Sequence, residues 1–152
     1  MSVVIVGTLD TKDEEIGFAR DVIEAQGVDV HVVDTGVVGE PSSEPETAAS
    51  TVAEAAGTTL EQLRSEADRG EAMEVMSEGA AESARQLYDE GIRDGVLGLG
   101  GSGNTSIATT AMRALPVGVP KLMISTMASG DTEPYVGSRD IMMMYSVADI
   151  EG

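Results

Sequence analysis

Two segments of this sequence bring together glycine with hydroxyl, amide or cationic side chains of the kind an anion site requires. They are Gly7-Thr8-Leu9-Asp10-Thr11-Lys12 and Gly100-Gly101-Ser102-Gly103-Asn104-Thr105. In the first, Thr11 and Glu14 have the spacing of a capping box, which predicts Thr11 as a helix N-cap and Lys12 as the first helical residue. A lysine there opposes the helix dipole unless an anion sits nearby. Pairing with a neighbouring acid, Asp13 or Glu15, is the competing reading. In the second, the glycines permit close backbone approach, and a helix N-terminus follows directly. Its amides, with Ser102, Asn104 and Thr105, would cradle a phosphate. A tight strand-to-helix turn without a ligand is the alternative.

A third stretch, Ser125-Thr126-Met127-Ala128-Ser129-Gly130-Asp131, is rich in small hydroxyls. Ser125, Thr126, Ser129 and Gly130 could meet a ribose, a phosphate or a metal-bound water there. A polar turn is the plain reading. Asp10 and Asp131 are candidate ligands for Mg²⁺ accompanying nucleotide phosphates. His31 lies inside a predicted strand and reads as a structural histidine. The single histidine and the absence of cysteine leave no catalytic triad and no transition-metal cluster to argue.

Two named phosphate motifs fit poorly. Gly98-x-Gly100-x-x-Gly103 has the dinucleotide spacing, but about 20 residues on, where an acid is wanted, stands Met123. The next acid is Asp131. No lysine follows Gly103, which excludes a P-loop.

Strand-like and helix-like segments alternate around these loops, the pattern of an α/β fold with a parallel sheet. SVVIVG at the start is a β-branched run suited to a strand buried on both faces. A helix is predicted over 11–26, with Ile16, Ala19, Val22 and Ile23 on one stripe. A second strand follows over 28–34. Residues 36–45 read as a loop and 46–89 as three helices, with Thr59-x-x-Gln62 capping the second and Gly70 separating it from the third. The third carries Met73, Met76, Ala80, Ala84 and Leu87 at helical spacing, a packing face rather than a ligand groove. Further strands are predicted over 94–100, 119–126 and 141–146, with a helix over 104–115. The methionine triplet of the last strand is expected in the core. With strand order 2-1-3-4-5, the loops after strands one and three would flank the topological switch point, where open α/β sheets bind ligands.

The composition narrows the classes further. The 152 residues hold 27 Asp+Glu against 9 Lys+Arg, a net charge of −18, with only two lysines, Lys12 and Lys121. That balance excludes a general nucleic-acid surface, which needs clustered cations to neutralise phosphates. No apolar run approaches the ~18 residues of a membrane span, and no leader precedes the first strand, so a cytoplasmic location without membrane contact is expected. The acidic, lysine-poor, aromatic-poor composition resembles that of cytoplasmic proteins from extreme halophiles. A single domain over 1–152 is expected from length.

Several motifs in order resemble the ATP-binding domain of the tomato mosaic virus resistance protein family. They are Gly7-Thr8-Leu9-Asp10-Thr11-Lys12-Asp13-Glu14-Glu15, Gly98-Leu99-Gly100-Gly101-Ser102-Gly103-Asn104-Thr105, Leu115-Pro116-Val117-Gly118-Val119-Pro120-Lys121 and Ser125-Thr126-Met127-Ala128-Ser129-Gly130-Asp131. Tyr135-Val136-Gly137 and Tyr145-Ser146-Val147-Ala148-Asp149-Ile150 continue the resemblance, and Asp68-Arg69-Gly70 adds Arg69 as a secondary phosphate contact. The resemblance implies a Rossmann-like three-layer sandwich with a mostly parallel sheet of about five strands. It also implies ATP as ligand and a two-domain family, of which this chain would be a truncated nucleotide-binding part. The residues by themselves indicate a nucleotide or phosphate; adenine and triphosphate come from the resemblance. A homo-oligomer or a second family domain is the expected partner. An oligomerisation or partner-binding module with structural glycine loops, or an enzyme acting on a phosphorylated small metabolite, are the other functions open to this sequence.

Overall fold

The computed structural model describes residues 1–146. The six strands and helices that frame the switch point come first: β1 Ser2–Gly7, α1 Leu9–Glu24, β2 Asp29–Asp34, β3 Gly95–Gly100, α5 Ser102–Arg113 and β4 Lys121–Ser125. Between β2 and β3 lie α2 Ala49–Ala55, α3 Leu60–Glu66 and α4 Arg69–Asp89. After β4 come a 3₁₀ turn over Thr126–Ser129, the short α6 Glu133–Val136 and β5 Met142–Tyr145. The strands form one sheet in the order β2-β1-β3-β4-β5, every neighbouring pair parallel. This is the expected α/β, Rossmann-like architecture. The portion of the family-like motif beyond Ser146 lies outside the described residues.

Alternation along the strands divides the core in two. Val4, Val6, Val33 and Met123 point to one face, where Met76, Ala80, Ala84, Ala108 and Met112 of α4 and α5 cover them. Ile5, Val30 and Val32 point to the other, against Leu9 and Ile16 of α1. Small residues set the layer spacing on the thicker side. A Cβ on Gly79 of α4 would lie 2.0 Å from the Val52 carbonyl oxygen of α2. One on Gly98 would lie 2.5 Å from Met123 Sδ and 2.8 Å from Ala108 Cβ. Gly98, the first glycine of the dinucleotide-like spacing, therefore answers to packing between β3 and α5. Among the described residues no helix is long and apolar enough to cross a membrane.

Several local expectations are corrected. α1 starts at Leu9 with Thr8 as N-cap, so Thr11 sits inside the first turn rather than at the cap. The cause is tertiary: buried Leu9 is drawn into the core, and its amide donates to Asp34 Oδ1 of β2 at 3.0 Å. The helix then breaks at Lys12, whose φ of −128° and ψ of 29° are not helical. The break between α3 and α4 falls at extended Ala67 and N-cap Asp68, leaving Gly70 within the first turn of α4. Thr59 does cap α3, accepting from the Gln62 amide. Of the methionine triplet only Met143 packs against the core. β5 is an edge strand with Met142 67% and Met144 52% exposed, because among the described residues no helix covers it on the α1 side. Val22 is likewise exposed at the margin of the α1 stripe.

Lys121 is buried at the start of β4. Its ammonium donates to the Pro116 and Val119 carbonyls and to Asp140 Oδ1, each at 2.8 Å. This lysine ties the loop before β4 to the loop before β5. The ammonium, with the Gly118 amide, holds the Asp140 carboxyl at about 2.

Candidate functional site

β1 and β3 are neighbours whose chain continuations diverge, β1 into α1 on one face and β3 into α5 on the other. A crevice of about 1070 Å³ opens between their carboxyl ends. One wall is Thr8, Asp10, Thr11 and Lys12, and the opposite wall is the backbone of residues 100–104. The loop after β2, residues 35–38, forms the back. Leu63, Ala67, Ala72, Met73, Met76 and Ile107 supply an apolar side.

The glycine loop has the form its sequence suggested. Gly100 has a φ of +150°, and a Cβ there would stand 2.9 Å from Asn104 Cβ. α5 starts at Ser102, two residues before the expected boundary, with Gly101 as an N-cap that makes no side-chain hydrogen bond. The first amides of this 12-residue helix thus border the crevice without a side-chain acceptor at the cap. Gly103 is open to it: a Cβ at this position would meet only Met73 Sδ, at 3.8 Å.

Other predicted site residues hold the loops in place. Asn104, buried, donates to the Val6 and Leu99 carbonyls and accepts from Thr35 Oγ1, joining β1, β3 and the loop after β2. Thr105 Oγ1 lies 2.6 Å from Ser125 Oγ, and both side chains are fully buried. Ser125 Oγ also accepts from the Met127 amide. Thr126 and Ser129 lie on the 3₁₀ turn and Gly130 ends it; with Ser125 and Asp131, none of them lines the crevice. Asp131 accepts from the Glu133 amide. Asp10, the other candidate for Mg²⁺, does line the crevice, where its Oδ2 accepts from the Val38 and Gly39 amides. Among the described residues no group of three or more His, Asp or Glu is arranged to hold a metal. His31 Nε2 pairs with Thr47 Oγ1 at 2.7 Å, and burial lowers its pKa.

Cations gather at this opening. Lys12, Arg64 and Arg69 line the crevice, three of the chain's nine Lys+Arg. Lys12 lies 3.8 Å from Glu15, with 16% of its side chain exposed. Arg64 donates to the Val37 carbonyl from α3 and pairs with Glu40 at 3.0 Å. Arg69 is exposed at the first position of α4.

Sequence reasoning missed three contributors. Asp34 is buried at the end of β2 and accepts from Leu9 and Gly36 amides, orienting the first wall. Burial, reinforced by Asp10 and Asp13, raises its pKa. An acid at the last position of an apolar strand was the available signal. Arg64 had none, because its role depends on how α3 meets a loop 25 residues upstream. Met73, assigned to packing, is half-buried in the crevice wall, while Met76 one turn on is fully buried.

A doubly wound, Rossmann-like α/β domain with a glycine-lined crevice at its switch point is the class defined by these features. Residues 1–152 match the N-terminal domain of the Uncharacterised protein family (UPF0261), and the chain belongs to that family. A UPF0261 protein of Clostridium tetani is 53% identical over 150 residues, covering 99% of this chain and 37% of the relative. One from Mesorhizobium japonicum is 41% identical over 150 residues, with the same coverage. The tomato protein named ToMV resistance protein Tm-1(GCR237), of Solanum lycopersicum, is 48% identical over 84 residues, 55% of this chain and 11% of the tomato protein. The chain thus spans little more than a third of the length of its bacterial relatives.

Proposed function

We propose that the switch-point crevice binds ATP, with the phosphates between the 7–12 and 100–105 loops and the base against the apolar wall. One observation carries this reading. In a chain of charge −18, three of nine cations surround the N-terminus of a helix whose cap residue has no side chain. A helix N-terminus offers several amides and a partial positive charge to an anion. The crevice volume suits a nucleotide-sized ligand, since small-molecule sites run to about 1,000 Å³. Leu63, Ala67 and Met73 offer an adenine the apolar, polarisable contact that a purely phosphate site would not need. Asp10 stands where it could reach a Mg²⁺ carried in on the triphosphate. The hydroxyls of 125–130 brace the glycine loop in this reading rather than touch the ligand. The acidic composition suits a cytoplasm of high salt, where screening lets an anion approach.

An enzyme acting on a phosphorylated small metabolite would use the same phosphate seat without a preference for adenine. Titration of ATP in molar KCl into wild type and Lys12→Ala tests the proposal, with ribose 5-phosphate as the competing ligand. ATP binding weakened by the substitution is expected. Equal affinities in the two proteins, or no ATP binding by either, would sink it.

A further inference from the structure

The direction of each crossover decides which face of a parallel sheet its helix covers. The step from β1 to β2 carries α1 to one face. The later steps run the opposite way across the sheet, and α2, α4 and α5 pack on the other. The α1 side of β4 and β5 therefore receives no helix among the described residues, and that of β3 is covered only in part, Leu97 and Leu99 packing against the α1 cluster. Register places Leu97 and Leu99, Leu122 and Ile124, and Met142 and Met144 on that side. Parallel sheets are ordinarily covered on both faces. Here the β3 and β4 side chains are half-exposed, and the β5 methionines are more exposed still.

α1 extends the apolar face. Its Phe18 is 72% exposed, the only phenylalanine in the chain. With Val22 and Ile23 it forms one bank of a groove of about 840 Å³, floored by Leu97, Leu99 and Ile124. β4 and β5 at ~4.8 Å spacing leave roughly 10 Å of bare sheet beside the partly covered β3, room for a helix packed ~10 Å from α1. The rim is acidic, with Asp13, Glu14, Glu15 and Glu40. A second copy of this chain would bring the same acids to the same rim, so an occupant with cationic shoulders fits better. The bacterial relatives carry further polypeptide, since this domain is the N-terminal one and fills only 37% of their length.

We propose that this groove seats an amphipathic helix from the polypeptide that follows the domain in its relatives, apolar on one stripe and Lys/Arg-bearing at its edges. The helix completes the outer layer of the sheet beside α1. Methionine oxidation reads this directly, because Met142 and Met144 are exposed on the same sheet face, one strand beyond the Ile124 floor, and exposed Met1 lies at the other end of the sheet. The chain alone is compared with a chimera in which it is followed by the remaining polypeptide of the Clostridium tetani relative. Peroxide oxidation of Met142 and Met144, but not Met1, should slow about fivefold or more in the chimera, as exposure governs the rate. Phe18→Glu in the chimera should restore it. Unchanged rates overturn the proposal. The intact Clostridium tetani protein gives an arm that needs no chimera: hydroxyl-radical labelling of its counterpart of this face must be lower than in its matched segment alone, and equal labelling overturns the proposal. Sedimentation of the chain in molar KCl is the third arm. A dimer broken by Phe18→Glu would assign the face to a second copy and overturn it, whereas a monomer is the expected result.

Discussion

Gly103→Ala separates a glycine kept for a ligand from one kept for the fold. Gly103 is in the first turn of α5 with ordinary helical geometry, and a methyl there would meet only Met73 Sδ at 3.8 Å, a normal contact. Exchanging glycine for alanine in a helix is worth up to about 1 kcal/mol, less near the end, so a gain of about 0.5 kcal/mol is expected. For a domain of this size that corresponds to a rise of about 1–2 °C in Tm. The same methyl protrudes into the space where a phosphate would approach the amides of 102–104. Loss of one hydrogen bond to a charged group removes about 1.5–3 kcal/mol, at least a tenfold weakening of ATP binding. Gly100→Ala is the contrasting control. Its φ of +150° and the 2.9 Å approach to Asn104 Cβ make it a change of fold, expected to lose about 1–3 kcal/mol. Thermal unfolding without ligand and calorimetric titration of ATP in molar KCl measure both quantities. Gly103→Ala with undiminished ATP affinity would refute the phosphate seat. A loss of more than about 1 kcal/mol in stability would refute the open geometry assigned to that position.

Asp34→Asn keeps an oxygen to accept the Leu9 and Gly36 amides but removes a buried charge. Because the folded pKa of Asp34 is raised, its stabilising contribution is complete below the unfolded value of 3.8 and is lost as pH rises through the folded one. Urea denaturation should therefore show Asp34→Asn at least as stable as wild type at neutral pH, with that part of the decline above pH 3.8 abolished. Asp34→Ala, leaving both amides without their acceptor, should lose about 1–3 kcal/mol. Gly98→Ala places a Cβ 2.5 Å from Met123 Sδ and 2.8 Å from Ala108 Cβ and should cost about 1–3 kcal/mol in the same assay. ATP affinity of the folded protein should be retained, since Gly98 lies in the core behind the crevice. ATP affinity should strengthen from low salt to about 1 M KCl, where the Debye length falls to about 3 Å and the −18 field is screened. Titrations showing weaker binding at high salt would mean that the local cations outweigh the overall charge.

The strand order and the switch point were legible because they follow from alternation of β-branched runs with amphipathic stretches and from the handedness of crossovers. The Thr59 cap was legible for a similar reason: donor and acceptor are three residues apart. Thr11 failed as a cap because a partner 25 residues from Leu9 took over the role, and no local pattern encodes that. Met142 and Met144 of β5 misled by composition alone. Apolar residues at an edge are core only if something covers them, and the cover depends on which face the next helix takes. Ser125 and Thr105 had the chemistry of ligand contacts, yet their hydroxyls meet each other under the glycine loop. Lys121 had the scarcity that marked Lys12, but it closes a loop by bonding two carbonyls and a carboxylate.

The first turn of α1 belongs to both surfaces of the molecule. Asp10 and Thr11 border the crevice on one side and the bare groove on the other. Asp10 also holds the Val38 and Gly39 amides, and Asp13, its carboxyl lowered chiefly by the Ser42 and Ser43 hydroxyls, holds the next stretch of that loop. Arg64 grips the same loop from α3 through the Val37 carbonyl. The kink at Lys12 lies between these attachments, so the turn is positioned by the loop after β2 as well as by its own helix. A helix seated against Phe18, Asp13 and Glu14 would press on that turn from outside while a nucleotide engaged it from within. Any difference in turn geometry favoured by one occupant must then appear in the affinity of the other, and by linkage the two effects are equal in size. The acidic rim and the cationic crevice stand on opposite sides of a single helical turn, which is why the sheet's uncovered face bears on its binding site.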